Sequence, residues 1–136
     1  MSQPLSYNSE FLPEITIAVV FSDNPQYDKL KPMFKEYGYG FMVPNKKLII
    51  IDGEQIINNF NTDILKFIEA HEIAHIMLNH DGPRNEEEEL DADLGAYILL
   101  KQKDKMGPIK SLIKHFKQRH GIKFDENLLK RVKKYF

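Results

Sequence analysis

The sequence predicts an α+β fold, a small, mostly antiparallel sheet followed by several helices. Two observations carry that prediction. β-Branched apolar runs, ITIAVVF at 15–21 and KLIIID at 47–52, are confined to the first part of the chain, and such runs favour strands. From Thr62 onward the apolar residues instead recur with helical spacing, at about 100° per residue. The 136 residues suffice for one domain with its own core. A single domain over 1–136 is therefore expected, its last part (about 109–136) helical and basic.

Taken in order, Ile15–Phe21 reads as a strand. Asp23-Asn24-Pro25 opens a short helix running to about Glu36, with Pro32 placed to interrupt it. Tyr37–Val43 and Lys47–Asp52 form two strands joined at Pro44-Asn45-Lys46, and Asp52-Gly53 makes a turn. Between Thr62 and Asn79 the residues Ile64, Ile68, His71, His75 and Leu78 share one helical face, and apolar residues occupy much of the rest. A helix apolar on most sides is a central, buried one. Asp81-Gly82-Pro83 stops it. A second long helix starts at Asn85, with Glu88 three residues on as in a capping box, and is expected to end at Gly107-Pro108. Two more helices are expected, about Ile109–His120, stopped by Gly121, and about Asp125–Phe136.

Composition narrows the class. The chain has no cysteine, which removes disulfides, thiolate nucleophiles and cysteine-ligated zinc together. No apolar run is long enough to span a membrane. The start, MSQPLSYNSE, lacks the basic and apolar regions of a signal peptide, so the cytoplasm is the expected location. The net charge of −1 hides an asymmetry: residues 1–100 carry 7 Lys+Arg against 17 Asp+Glu, and residues 101–136 carry 12 against 3. A basic C-terminus suits nucleic acid or an acidic partner. The favoured reading is plainer, a solvated helical face resting on the chain's own acidic part.

Chemistry concentrates in HEIAHIMLNH, residues 71–80, where titratable groups interrupt an apolar run. His71-Glu72-Ile73-Ala74-His75 is an HExxH pattern. Residues i and i+4 lie one turn apart on one face, so both imidazoles can reach one ion. Glu72 stands about 100° round from His71, where a base for activated water belongs. A catalytic zinc takes three protein ligands, and the third is not settled by the motif. The longer pattern HExxHxxGxxH fails, with Leu78 and Asp81 at its Gly and His positions, although an Asp81 carboxylate is itself able to ligate. His80 is one residue out of step, points away from the pair's face, and is expected to interact with the helix-terminal carbonyls. Downstream, Glu89-Leu90-Asp91-Ala92-Asp93 puts Glu89 and Asp93 on one face of the second helix, near the small Ala92 and Ala96. His75 lies about four residues before one helix ends and Glu89 about four after the next begins. At 1.5 Å rise per residue, antiparallel neighbours bring both to a depth of roughly 6 Å below the connection. Glu89 is the better third ligand and Glu88 the fallback.

HExxH followed by ExxAD on the next helix resembles the gluzincin type of zinc metallopeptidase. In a chain this small, "HEIAHIMLNH" followed by "EEELDADLGAYILL" looks most like the ImmA/IrrE-type metallopeptidases, often phage- or mobile-element-encoded, over roughly residues 37–100. The resemblance implies a zincin-like fold with the sheet packed on a central HExxH helix and an antiparallel ExxAD helix. It implies one Zn²⁺ ion held by His71, His75 and Glu89, with Glu72 as general base and Asp93 orienting His71 from behind. It implies hydrolysis of a protein or peptide substrate, with strand Leu48–Ile51 offered as an edge for backbone pairing. His115 and Tyr97 are candidate oxyanion stabilisers, with His120, Tyr39 and Arg84 also considered. Gly95-Ala96-Tyr97 stands where the family more often has an aromatic-Ala pair. The alternative function is a zinc-retaining regulatory or binding module with weak or no proteolysis, its basic C-terminal helices on nucleic acid or an acidic partner; nucleic acid is the less favoured partner.

Overall fold

The computed structural model describes residues 5–43, 45–59, 62–80 and 85–136, with the side chains of 57–59 excepted. The expected stop at Asp81-Gly82-Pro83, and Arg84 with it, fall outside the described residues. The chain divides into two compact units, residues 1–69 and 70–136. Among the described residues no helix is long and apolar enough to cross a membrane.

The first unit is a sheet with helices. Its strands are β1 (Leu5–Asn8), β2 (Thr16–Val20), β3 (Gly40–Val43) and β4 (Leu48–Asp52), in the order β1-β2-β4-β3. The sheet is mixed: β1·β2 and β3·β4 are antiparallel, but β2 and β4 run parallel, with Ile17 opposite Ile49 and Val19 opposite Ile51. Parallel neighbours need a long crossover, and residues 21–47 supply it. The two central strands are also the two runs richest in β-branched residues, and in both the buried positions alternate with half-buried ones. Ile17, Ile49 and Ile51 have no exposure at all.

Two expectations about this unit are corrected. Leu48–Ile51 belongs to a strand paired on both sides; its N–H and C=O groups are spent on β2 and β3, so it is not an edge for an incoming peptide. Gly53 does not merely turn. It opens a helix, α2 (Gly53–Asn59), and Asp52 Oδ1 accepts from the Glu54 N–H at 3.1 Å, satisfying one orphan donor of the first turn.

The helix after β2, α1 (Tyr27–Tyr37), runs through Pro32 without interruption. Proline costs that helix one backbone bond, offset by packing: Tyr27 and Phe34 are buried with Val20 and Phe41, flanked by Leu30, Met33 and Ile50. The Tyr27 hydroxyl donates to Asp52 at 2.9 Å. Burial first, and then this bond, push the Tyr27 phenol up to about 12. Strand β1 escaped the sequence reading. It is secured by Glu69, fully buried in α3 (Thr62–Met77), whose carboxylate accepts from Tyr7 Oη and Ser9 Oγ, both at 2.9 Å, and from Lys66 Nζ at 3.1 Å.

The second unit holds the C-terminal part of α3, then α4 (Glu86–Gln102), α5 (Met106–His120) and two short 3₁₀ helices, Glu126–Arg131 and Lys133–Tyr135. Asn85 caps α4 as expected: its side chain accepts from the Glu88 N–H at 2.8 Å and donates to the Glu88 carboxylate at 2.8 Å. The helix ends at Gln102, not at Gly107-Pro108. Those two residues lie in the first turn of α5, where proline loses no intrahelical bond. Gly121, at φ 73°, closes α5 in the left-handed region, which costs glycine little. The expected helix over 125–136 is replaced by the 3₁₀ pieces. There Arg131 reaches back to Asp91 at 2.8 Å and Glu87 at 3.1 Å, so part of the basic C-terminus does rest on the acidic start of α4.

Small residues let the helices of this unit close up. Ala74, Ala92 and Ala96 are fully buried. A Cβ at Gly95 would overlap the Phe136 ring and stand 2.9 Å from the Ala74 Cβ. Gly95→Ala is therefore expected to destabilise by about 1–3 kcal/mol through overpacking, less in a Phe136→Ala background, as read by chemical denaturation. Tyr27 adds a pH dependence in the first unit. Its folded pKa is raised above the unfolded value of about 10, so its contribution is complete below pH 10 and lost as the pH rises toward 12. Tyr27→Phe should flatten the alkaline decline in that window, measured by thermal unfolding at stepped pH.

Candidate metal centre

His71, Glu72 and His75 are all buried on α3, and Asp93 has no exposure on α4. Burial of titratable groups is costly unless they are paired, and His71, His75 and Asp93 are each paired with one another or with Glu89. The HExxH spacing stacks the two imidazoles one turn apart, edge to face, 4.6 Å between ring centres. Their Nε2 atoms approach to 3.1 Å. Glu89, in the first turn of α4, lays its carboxylate across both, Oε1 at 2.9 Å from His75 Nε2 and Oε2 at 3.2 Å from His71 Nε2. The residues that helix rise places at one depth thus do meet. Glu88, the fallback, is turned to Asn85 instead. His71, Glu72 and His75 form a group able to hold a metal ion, with donor atoms all within 4.8 Å of one another.

The far side of each imidazole is also engaged. His71 Nδ1 lies 2.6 Å from Asp93 Oδ1. Asp93 in turn accepts from Arg119 Nε at 2.8 Å and Nη2 at 3.3 Å, and from His120 Nε2. Burial works to raise the Asp93 carboxyl, but His71, His120 and Arg119 outweigh it and hold it well below the usual carboxylate range. The ionised Asp93 then accepts the Nδ1–H of His71 and leaves Nε2 to face Glu89. Burial opposes a charge on His71 as well; Asp93, then Glu89 and Glu72, overcome it and carry the ring up to about 10. Glu89 is likewise held low by the two histidines against the effect of its burial.

His80 departs from expectation. Its backbone N–H does bond a terminal carbonyl, that of His75, at 3.0 Å, but its ring does not point away from the pair. His80 Nδ1 lies 2.8 Å from His75 Nδ1. Of the oxyanion candidates, Tyr97 donates its hydroxyl to Glu126 at 3.3 Å and packs on Phe124, whereas His115 and Tyr39 are exposed. His120 is the imidazole of α5 that reaches this cluster.

Arg119 as a partner of Asp93 was not anticipated. Its signal was present only as a basic last turn before Gly121, which reads equally well as a helix-dipole partner. A cleft of about 950 Å³ opens beside the cluster, with Glu89, Arg119 and His120 in its wall.

Comparison with known families gives the class: the chain is a peptidase. Residues 27–124 match the family model Peptidase U49, and with well over half of the 136 residues matched the chain belongs to that family. The matched span includes every residue of the cluster. No curated protein and no solved structure matches the chain.

Removing the Arg119 guanidinium leaves a buried carboxylate short of two charge-assisted bonds. Arg119→Ala is expected to lower stability by about 1–3 kcal/mol. Arg119→Lys should recover only part of it, because an ammonium cannot span both Asp93 oxygens as the guanidinium fork does. Urea unfolding of the metal-free protein reads both.

Proposed function

We propose that this peptidase is a zinc-dependent metallopeptidase of gluzincin type, akin to the ImmA/IrrE-type enzymes, in which His71, His75 and Glu89 hold the metal and Glu72 is the general base. The observation that carries the reading is the Glu89 carboxylate lying across two imidazole Nε2 atoms. Zinc bonds of about 2.0–2.1 Å at a tetrahedral angle space their donor atoms roughly 3.3 Å apart. The separations of 2.9, 3.1 and 3.2 Å among these donors are close to that spacing. Two nitrogens and a carboxylate also suit zinc chemically and leave a ligand position for water or substrate.

When bound, zinc supplies Lewis acidity, lowering the pKa of water to about 7 and polarising a peptide carbonyl. The remaining steps belong to the chain. Glu72, next round the helix from His71 and buried, takes the proton released as water oxygen bonds to the carbonyl carbon. It returns a proton to the amine nitrogen as the C–N bond breaks. Asp93 keeps the His71 ring in one tautomer and one orientation, with Arg119 and His120 holding Asp93 in place. His71, Glu72, His75 and Asp93 are themselves buried, which strengthens each of these electrostatic contacts. The cleft beside Glu89 is where the peptide is expected to lie. Membership of a peptidase family favours this reading over a binding-only module.

Metal analysis paired with a cleavage assay tests the assignment. Glu72→Gln should retain about one zinc per chain while peptide hydrolysis falls by roughly 10²–10⁴. Loss of zinc in that variant would make Glu72 a ligand and refute its role as the base. Glu89→Ala should lose most of the metal; full retention would mean that Glu89 is not the third ligand. Chelation should abolish activity in the wild type, and stoichiometric zinc should restore it.

A further inference from the structure

We propose that His80 is a positioning residue for His75, accepting a hydrogen bond from His75 Nδ1–H and so fixing the tautomer and rotation that present His75 Nε2 to the metal. The inference rests on the zinc reading above and extends it to a residue outside the HExxH and ExxAD motifs.

The backbone accounts for its place. Helix α3 ends with Asn79 at φ 58°, a left-handed conformation that asparagine tolerates better than most residues. The Asn79 N–H then bonds the Ile76 carbonyl at 3.1 Å, and the His80 N–H bonds the His75 carbonyl at 3.0 Å. These two bonds are the pair of a Schellman motif. They fold the chain back on the last turn, so a side chain five residues beyond His75 returns to it. The His80 ring arrives 5.1 Å from the His75 ring, centre to centre, and tilted 62° to it, with Nδ1 facing Nδ1 at 2.8 Å.

The chemistry of that contact has a direction. If His75 Nε2 gives its lone pair to a metal, the neutral ring carries its hydrogen on Nδ1. His80 Nδ1 is then the acceptor, and His80 keeps its own hydrogen on Nε2. The contact parallels what Asp93 does for His71, with a neutral imidazole in place of a carboxylate. The Glu88 carboxylate stands 3.9 Å from His80 Nδ1, too far to hydrogen-bond, and is engaged by Asn85.

Zinc affinity, measured by competition with a chromophoric chelator, tests the role with no activity readout. His80→Phe keeps a ring but removes the acceptor, and should weaken zinc roughly 10–100-fold, the loss typical of a missing outer partner of a ligand histidine. His80→Gln offers an amide oxygen and should recover most of that loss. In the cobalt-substituted protein, the visible ligand-field bands should shift in His80→Phe and return toward wild type in His80→Gln. Far-UV circular dichroism of the metal-free variants shows whether each is folded. A folded His80→Phe that binds zinc as tightly as wild type overturns the inference, as does equal weakening in the two variants. His75→Ala serves as the control for the underlying reading. If wild type binds no zinc, or binds it as tightly as His75→Ala does, the metal assignment itself has failed and this role with it.

Discussion

The carboxylate of Glu89, shared between the Nε2 atoms of His71 and His75, is the interaction on which the second unit depends. The imidazoles of His71 and His75 and the carboxylates of Glu72 and Asp93 are buried among apolar side chains. None of these groups tolerates burial alone. Each ring nitrogen therefore has a partner: Glu89 for the two Nε2 atoms, Asp93 for His71 Nδ1, His80 for His75 Nδ1. Asp93 would be the costliest of the set, and it is answered by Arg119 and His120 from the last turn of α5. The helices come close enough for this because Ala74, Ala92, Gly95 and Ala96 present almost no side chain between them.

The charge asymmetry of the chain has a structural use. The C-terminal part is strongly basic and the part before it acidic. Arg119 and Arg131 spend that difference inside the unit, on Asp93 and on Asp91 with Glu87. The two pairs differ in worth. Arg131 and Glu87 are well exposed, and exposed pairs contribute little. Asp93 is fully buried, so losing its partner strands a charge. The Arg119 pair is accordingly tied to the candidate site, whereas the Arg131 pair mainly fastens the C-terminal 3₁₀ segment to α4.

What could be read from the sequence follows the range of the physics involved. The histidine pair, Glu89 and Asp93 were legible because i,i+4 spacing and helix rise are local rules, and the Asn85 cap was legible for the same reason. The parallel pairing of β2 with β4 was not, since register between strands separated by a whole crossover leaves no local mark beyond their unbroken β-branched character. Strand β1 is short and mostly exposed, and its anchor Glu69 lies some sixty residues away. His80 was misjudged because ideal helical geometry was extended one residue too far. The left-handed turn at Asn79 reverses the direction that geometry gives. Gly107-Pro108 misled in the opposite sense: a helix breaker in an interior position is compatible with a first turn.

The central claim is that His71, His75 and Glu89 form one three-donor zinc site. X-ray absorption at the zinc edge of the purified, zinc-loaded protein tests it most directly. The predicted shell holds two imidazole nitrogens and one or two carboxylate oxygens, with a water where the fourth place is open, at about 2.0–2.2 Å. The carboxylate contribution should be lost in Glu89→Ala. A first shell of three or more imidazoles, or a spectrum unchanged by Glu89→Ala, would contradict it.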